Sequence, residues 1–270
     1  MRTTDLATGP DTTHLATAGD GRGEPVLFLH GTGPGATGTL SFASLLPALG
    51  EYRCLVPDLV GFGGSSHPQD VDAGPAPWFA RRVVAVVALL DALGLERVHV
   101  VGHSYGARVA LELVRRAPER VGRVVLLAAG GTPVTARLAT LTDFYRTPDE
   151  AAMRALVGAQ LSRGTAPHDY VRERFAVAAR PEVRRSFQAA MAVGEPMPVY
   201  DETVLPDMTH RVLAAHGKDD ATIGAAASLY LAQHLPNADL ALFAGCGHLL
   251  QLEVPTRLGS LVREFLATSS

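Results

Sequence analysis

The stretch VVGHSYGARVAL, Val100 to Leu111, sets a serine between two glycines at the junction of two apolar runs. The run before it is short and valine-rich, as a buried strand is, and the run after it keeps helical spacing. A strand that passes at once into a helix through Gly102-His103-Ser104-Tyr105-Gly106 has the G-x-S-x-G form. In that form a strained turn holds the serine hydroxyl up for reaction. The five residues alone are a weak signal, because glycine and serine are ordinary loop residues. Their meaning depends on whether the chain also supplies a sheet, a base and an acid.

The flanking sequence supplies the sheet. PVLFLHG (Pro25 to Gly31) reads as a buried strand ending in a glycine loop, and a helix is expected over Leu40 to Leu49. RCLVPDLVGFGGSS (Arg53 to Ser66) reads as a second strand with a glycine-rich turn. Periodicity predicts a helix from Trp78 to Leu93, with Gly94 as its stop. RVHVVGHS is the third strand, Tyr105 to Ala117 the next helix, and VGRVVLLAAGG (Val121 to Gly131) the fourth strand. RVLAAHGKDD and ADLALFAGCGH add two strands around a helix near Ala225 to His234, and a last helix covers Pro255 to Leu266. Apolar strands alternating with helices imply an α/β fold, a mostly parallel central sheet flanked by helices. From 131 to 209 the alternation stops, and arginines and scattered aromatics fill helices and loops. This stretch is expected to be an inserted helical cap, with 1–130 and 210–270 forming the core.

Ligands of such sheets bind beyond the carboxyl ends of the strands, so chemistry is sought there. A serine hydroxyl needs a base, and histidine is the natural one near neutral pH. Of the ten histidines, His248 follows a predicted strand and precedes the last helix, a position from which it can reach Ser104. Asp219 and Asp220 also follow a strand, which gives the chain order serine, aspartate, histidine. A solvated turn explains either aspartate alone; it does not explain three such residues at three strand ends in that order. The glycine loop HGTGPGATG after the first strand lets backbone approach a ligand. The amides of Thr32 and Tyr105 are the expected donors to a transient oxyanion. GTGPGATG and GFGG are not read as dinucleotide fingerprints opening a helix after a strand, and no metal-ligand spacing is present, so no cofactor or metal is expected.

Composition narrows the partners. The chain has 270 residues, 47% of them apolar and 19% charged, as a compact protein with a large core does. A net charge of −3 argues against nucleic acid as a partner. The longest apolar run, Val83 to Leu90, is far short of a membrane span, and the polar first fourteen residues lack a signal-peptide core. Two cysteines make no disulfide framework. A cytoplasmic protein acting on a small molecule is expected, and the sequence is compatible with a homo-oligomer.

At this point the chain resembles a known family. LFLHGTGPGA, VPDLVGFGGSS, VVGHSYGARVAL, HGKDD and GCGHLLQLEVP are similar to the α/β-hydrolase superfamily over nearly the whole chain. HGTGPGA followed by PDLVGFG, with the stretch VRERFAVAARPEVRRSFQAAM, looks most like the meta-cleavage product hydrolases. Those enzymes split carbon–carbon bonds in vinylogous 1,5-diketones from ring-opened catechols. The resemblance implies Ser104 as nucleophile, Asp220 as acid, His248 as base, and the Thr32 and Tyr105 amides as oxyanion donors. It points to Arg174, with Arg172 as the other choice, as the arginine meeting the substrate's carboxylate or dienolate end. Gly31, Gly33, Ser41, His103 and Leu249 would shape the substrate pocket. Three of these depart from the family: His103 stands where asparagine is usual, Ser41 is nearest another asparagine position, and Leu249 replaces a tryptophan. The expected activity is therefore serine-dependent hydrolysis of a small to medium apolar carbonyl compound, carbon–carbon hydrolysis in its most specific form. An esterase, lactonase or amidase on the same triad, in a biosynthetic pathway, is the second reading, and a non-catalytic binding protein the third. Ser104 argues against a dehalogenase or epoxide hydrolase, which use aspartate.

Overall fold

The structure, a computed structural model, describes residues 1–163 and 166–267. Its frame is an eight-stranded sheet. The strands are β1 (Arg2–Thr8), β2 (Asp11–Gly19), β3 (Pro25–Leu29), β4 (Arg53–Pro57), β5 (Val98–His103), β6 (Val121–Leu127), β7 (Val212–Gly217) and β8 (Ala238–Phe243). They lie in the order β1-β2-β4-β3-β5-β6-β7-β8. From β4 to β8 every pairing is parallel, while β1 and β2 are antiparallel to their neighbours.

Period-two alternation splits each central strand between two cores. Leu27 and Leu29 of β3 face one side, with helices α2 (Pro75–Ala92), α3 (Tyr105–Arg116) and α8 (Ala226–His234) supplying Phe79, Leu113 and Leu231. Val26 and Phe28 face the other, where α1 (Gly38–Phe42) and α10 (Pro255–Ala267) supply Phe42 and Val262. Burial on both faces is why these strands read as mostly apolar runs.

Two elements differ from the sequence reading. The polar N-terminus forms the β1–β2 hairpin, with Leu15 of β2 paired to Pro57 of β4. The expected helix over Leu40 to Leu49 breaks into α1 and a 3₁₀ turn at Leu46–Leu49 that opens on Pro47. Proline has no N–H to continue an α-helix and crowds the preceding turn.

Between β6 and β7 the chain runs through α4 (Ala139–Asp143), α5 (Glu150–Gly158), α6 (His168–Ala178) and α7 (Pro181–Ala190), with no strand among the described residues. These helices share their own apolar cluster, including Tyr145, Met153, Val157, Val171 and Phe187. Leu249, which follows β8 and precedes α9 (Leu250–Glu253), packs into the same cluster and joins it to the sheet end.

Candidate active site

Ser104 sits between the last residue of β5 and the first of α3, at φ 54° and ψ −112°. A non-glycine residue there is strained by about 1–3 kcal/mol, so the surroundings must hold it. They do so through the chain itself: Ser104 N–H donates to Leu127 O at 2.8 Å, and Gly130 N–H donates to Ser104 O at 3.0 Å. The flanking glycines are required by contact. A Cβ on Gly106 would lie 1.9 Å from Leu29 O, and one on Gly102 would lie 2.6 Å from Gly106 O. Only bare backbone lets α3 start this close to β3.

His248 and Asp220 converge on this serine. Ser104 Oγ lies 3.0 Å from His248 Nε2, and His248 Nδ1 lies 2.7 Å from Asp220 Oδ2. All three residues are buried. Asp220 Oδ1 accepts the Thr222 and Ile223 amides, and Oδ2 is shared with His216 Nε2 at 3.0 Å. His216 Nε2 faces that carboxylate and Ile223 O, so it carries the proton. Burial alone raises a carboxyl, but the bonds from His216 and His248 outweigh it and hold Asp220 below the usual carboxylate range. A carboxylate fixed this way orients the imidazole and stabilises its charged form; the imidazole can then take the serine proton. Asp219, its neighbour, is exposed and accepts from Ser162 Oγ at 2.5 Å, rather than from its own turn's amides.

The amides of Thr32 and Tyr105 border the same space, and neither donates to an acceptor among the described residues. Unengaged N–H groups beside a nucleophile are what an oxyanion needs. His30 fixes the loop that carries Thr32. Its Nδ1–H donates to Gly31 O at 2.8 Å, and its Nε2 accepts Leu59 N–H at 3.0 Å.

Two chambers flank this centre and share Thr32. The first is small and polar, lined by Gly31, Ser41, His103, Gln160, Tyr170, Arg174, His248, Leu249 and Gln251. Arg174 comes from α6 and is 3% exposed, with its Nε on Pro34 O at 3.0 Å and Nη1 toward Gln160 Oε1 and Tyr170 OH. Gly33 makes room for it, since a Cβ there would meet the guanidinium at 2.6 Å. Arg172 points to solvent and pairs with Asp169 at 3.2 Å, so Arg174 is the arginine at the site. Gln251 Oε1 is buried with no hydrogen-bond partner. The second chamber, about 210 Å³, is mostly apolar, with Ser104, Leu138, Ala190, Met191, Met197 and Ile223 among its walls. Burial, reinforced by the neighbouring His248 ring, pulls His103 down to about 3, so it faces the polar chamber as a neutral ring.

Reasoning from sequence missed His216, Gln160, Tyr170 and Gln251, and also Arg82 and Arg108 in the second chamber. Arg82 carries a readable signal, for it shares one helical face with Phe79, Val83, Val86 and Leu89. Arg108 carries one too, four residues after Ser104 in the predicted helix; the others carry none, because only the fold brings them to the serine. Gln160 O also accepts His248 N–H at 2.8 Å, and Glu253 bridges the Ser162 and Gly247 amides at 2.8 and 2.6 Å. Among the described residues, no group of three or more His, Cys, Asp or Glu side chains could hold a metal, and no helix is long and apolar enough to cross a membrane. Cys54 and Cys246 are free and buried.

Residues 24–255 match the model of the α/β hydrolase fold family. The chain belongs to that family. It is 38% identical over 258 residues to a 2-hydroxymuconate semialdehyde hydrolase of Pseudomonas putida, covering 92% of this chain and 88% of the other. It is 32% identical to a 2-hydroxy-6-oxo-2,4-heptadienoate hydrolase of the same species, strain F1, covering 92% and 90%. Among solved structures, the 2-hydroxy-6-oxo-6-phenylhexa-2,4-dienoate hydrolase of Rhodococcus sp. strain RHA1 superposes with a TM-score of 0.93 at 34% identity, covering 99% of each chain. This α/β hydrolase is therefore an enzyme of the serine-hydrolase type, and its likeness to meta-cleavage product hydrolases spans nearly the whole chain.

Proposed function

We propose that this α/β hydrolase cleaves a carbon–carbon bond in a 2-hydroxy-6-oxo-dienoate, the product class of meta ring opening, as the names of its relatives indicate for them. One observation carries the reading. The polar chamber beside His248 holds a buried guanidinium and a buried amide oxygen with no partner. A carboxylate satisfies Arg174, and a hydroxyl on the adjacent carbon can donate to Gln251 Oε1. A simple ester has no group that needs either. The helical segment 131–209 acts as a cap that supplies Arg174 and closes both chambers.

In this reading the dienoate arm lies in the polar chamber and the acyl arm in the apolar one, with the ketone at Ser104. The bond between the ketone carbon and its neighbour breaks only if the departing electron pair has a conjugated carbonyl to enter. The dienol supplies one once it has taken a proton on the carbon next to the ketone and become a 2-oxo acid. Ser104 Oγ then adds to the ketone as its proton passes to His248, and the oxyanion is held by the Thr32 and Tyr105 amides. Collapse breaks the carbon–carbon bond, and the electron pair enters the 2-oxo acid, which leaves as a dienol after protonation. Water, deprotonated by His248, releases the acyl group from Ser104. The sum is one water consumed and one carboxylic acid plus one 2-hydroxydienoate formed.

A substrate panel tests this. Purified enzyme is given 2-hydroxy-6-oxo-dienoates and p-nitrophenyl esters, and dienolate absorbance and nitrophenolate release are followed. Faster kcat/KM on the dienoates is expected; turnover of esters alone overturns the reading in favour of an esterase.

A further inference from the structure

The Asp220 carboxylate takes two donors on each oxygen. Oδ1 accepts the Thr222 and Ile223 amides at 2.7 and 2.9 Å, and Oδ2 accepts His248 Nδ1–H at 2.7 Å and His216 Nε2–H at 3.0 Å. A carboxylate has about four acceptor positions, so His216 fills the last of them and leaves none for water. It does so on the same oxygen that holds the base.

His216 stands near the end of the otherwise apolar strand β7, and its side chain is fully buried. A polar ring in such a place is costly unless both nitrogens are hydrogen-bonded. Nε2–H is shared between Asp220 Oδ2 and Ile223 O, the latter at 2.9 Å. With the proton on Nε2, Nδ1 accepts the hydroxyl of Ser228, a buried residue of α8, at 2.8 Å. Partners on both sides of the ring therefore fix one tautomer, and that tautomer aims its N–H at the acid.

We infer that His216 is a positioning residue that sets the strength of the triad: it holds Asp220 toward His248 and limits how strongly their shared oxygen favours a charged imidazole. The inference rests on the Ser104–His248–Asp220 triad of the reading above, but not on which bond is cleaved. Without the His216 donor, Oδ2 acts on His248 alone. The imidazolium is then favoured, and the base is lost to protonation at a higher pH. A buried carboxylate with one donor fewer is also protonated more readily. Both effects move the acidic limb of reactivity upward. Two other titratable groups sense this carboxylate: burial brings His103 down to about 3 and pushes Cys246 up to about 12, so both stay neutral between about pH 5 and 9. Asp219 turns away from it to Ser162.

A fluorophosphonate reads the triad without a natural substrate: Ser104 Oγ bonds to phosphorus, fluoride leaves, and the serine proton passes to His248. Its second-order rate constant is measured on the full chain from about pH 5 to 9 for wild type, His216→Leu, His216→Gln and His216→Asn, with melting temperatures alongside. The amide N–H of a glutamine reaches the place of Nε2, whereas that of an asparagine reaches only the place of Nδ1. His216→Leu is expected to lose at least about tenfold in plateau rate and to shift the acidic limb up by at least about half a pH unit. His216→Gln is expected to bring the limb back to within about 0.2 unit of wild type, and His216→Asn to leave it displaced. If His216→Leu does not fold, the comparison of His216→Gln with His216→Asn decides. An unmoved limb in His216→Leu, or the same profile for His216→Gln and His216→Asn, makes His216 a packing residue and overturns the inference while carbon–carbon hydrolysis stands. If wild type is not labelled at Ser104, the triad falls and the inference with it.

Discussion

His103 donates its Nε2–H to the main-chain oxygen of His248 at 2.9 Å, so the residue before the serine grips the backbone of the histidine that faces it. The ring makes this bond in its neutral form, because burial, with the neighbouring His248 ring, brings His103 down to about 3. In the unfolded chain the same side chain titrates near the ordinary value of about 6.5. Between those values the unfolded state binds the extra proton, so stability is full above about pH 6.5 and is lost as pH falls toward 3. Burial lowers His67 and His99 as well, which adds in the same direction. The melting temperature is expected to drop between about pH 7 and pH 4.5. His103→Asn should show a shallower drop in the same buffers; an unchanged slope removes His103 as its source.

Ser104→Ala should lower turnover by roughly 10³–10⁶-fold while leaving the melting temperature within a few degrees. Alanine keeps the backbone conformation and loses only the hydroxyl that faces His248. A serine-directed fluorophosphonate should label wild type at one site and leave the variant unlabelled. Mass spectrometry showing adduct on another residue counts against Ser104 as nucleophile.

Asp220→Asn should cost about 10⁴-fold in turnover, because an amide no longer fixes the tautomer of His248. Asp219→Asn should cost less than about tenfold, since it perturbs an exposed bond to Ser162. The order of the two variants on one substrate is the readout. If Asp219→Asn is the crippled one, the assignment shifts by a residue.

Arg174→Gln should lower kcat/KM for a 2-hydroxydienoate by at least about 100-fold, the loss of a buried charge-assisted contact. Arg172→Gln, which removes an exposed pair with Asp169, should change it by less than about twofold. Equal effects from the two would place the substrate's anion elsewhere.

Much of this was legible in the chain because burial leaves a record. Strands β3 to β7 are covered on both faces, so their residues are mostly apolar and mark the strand ends where Ser104 and Asp220 stand, while His248 follows the half-exposed β8. The hairpin was not legible for the opposite reason. β1 lies at the edge of the sheet with its first four residues exposed, and polar edge residues resemble a tail. His216 lies outside the reading because a histidine at a strand end carries no sign of the partner it meets. Its contact with Asp220 depends on a turn bending back by four residues.

The tie from Gln160 to His248 has a consequence for the timing of a turnover. The end of α5 and the loop after β8 are joined through Gln160 O, Glu253 and Ser162. A swing of the helices wide enough to admit a ligand past this seam also draws the imidazole away from the serine. Bulk water entering at that moment meets an idle hydroxyl, with no base to ionise it. In a turnover that opened this way, reaction would follow re-closure of the seam, and so would release of an acyl group held on Ser104.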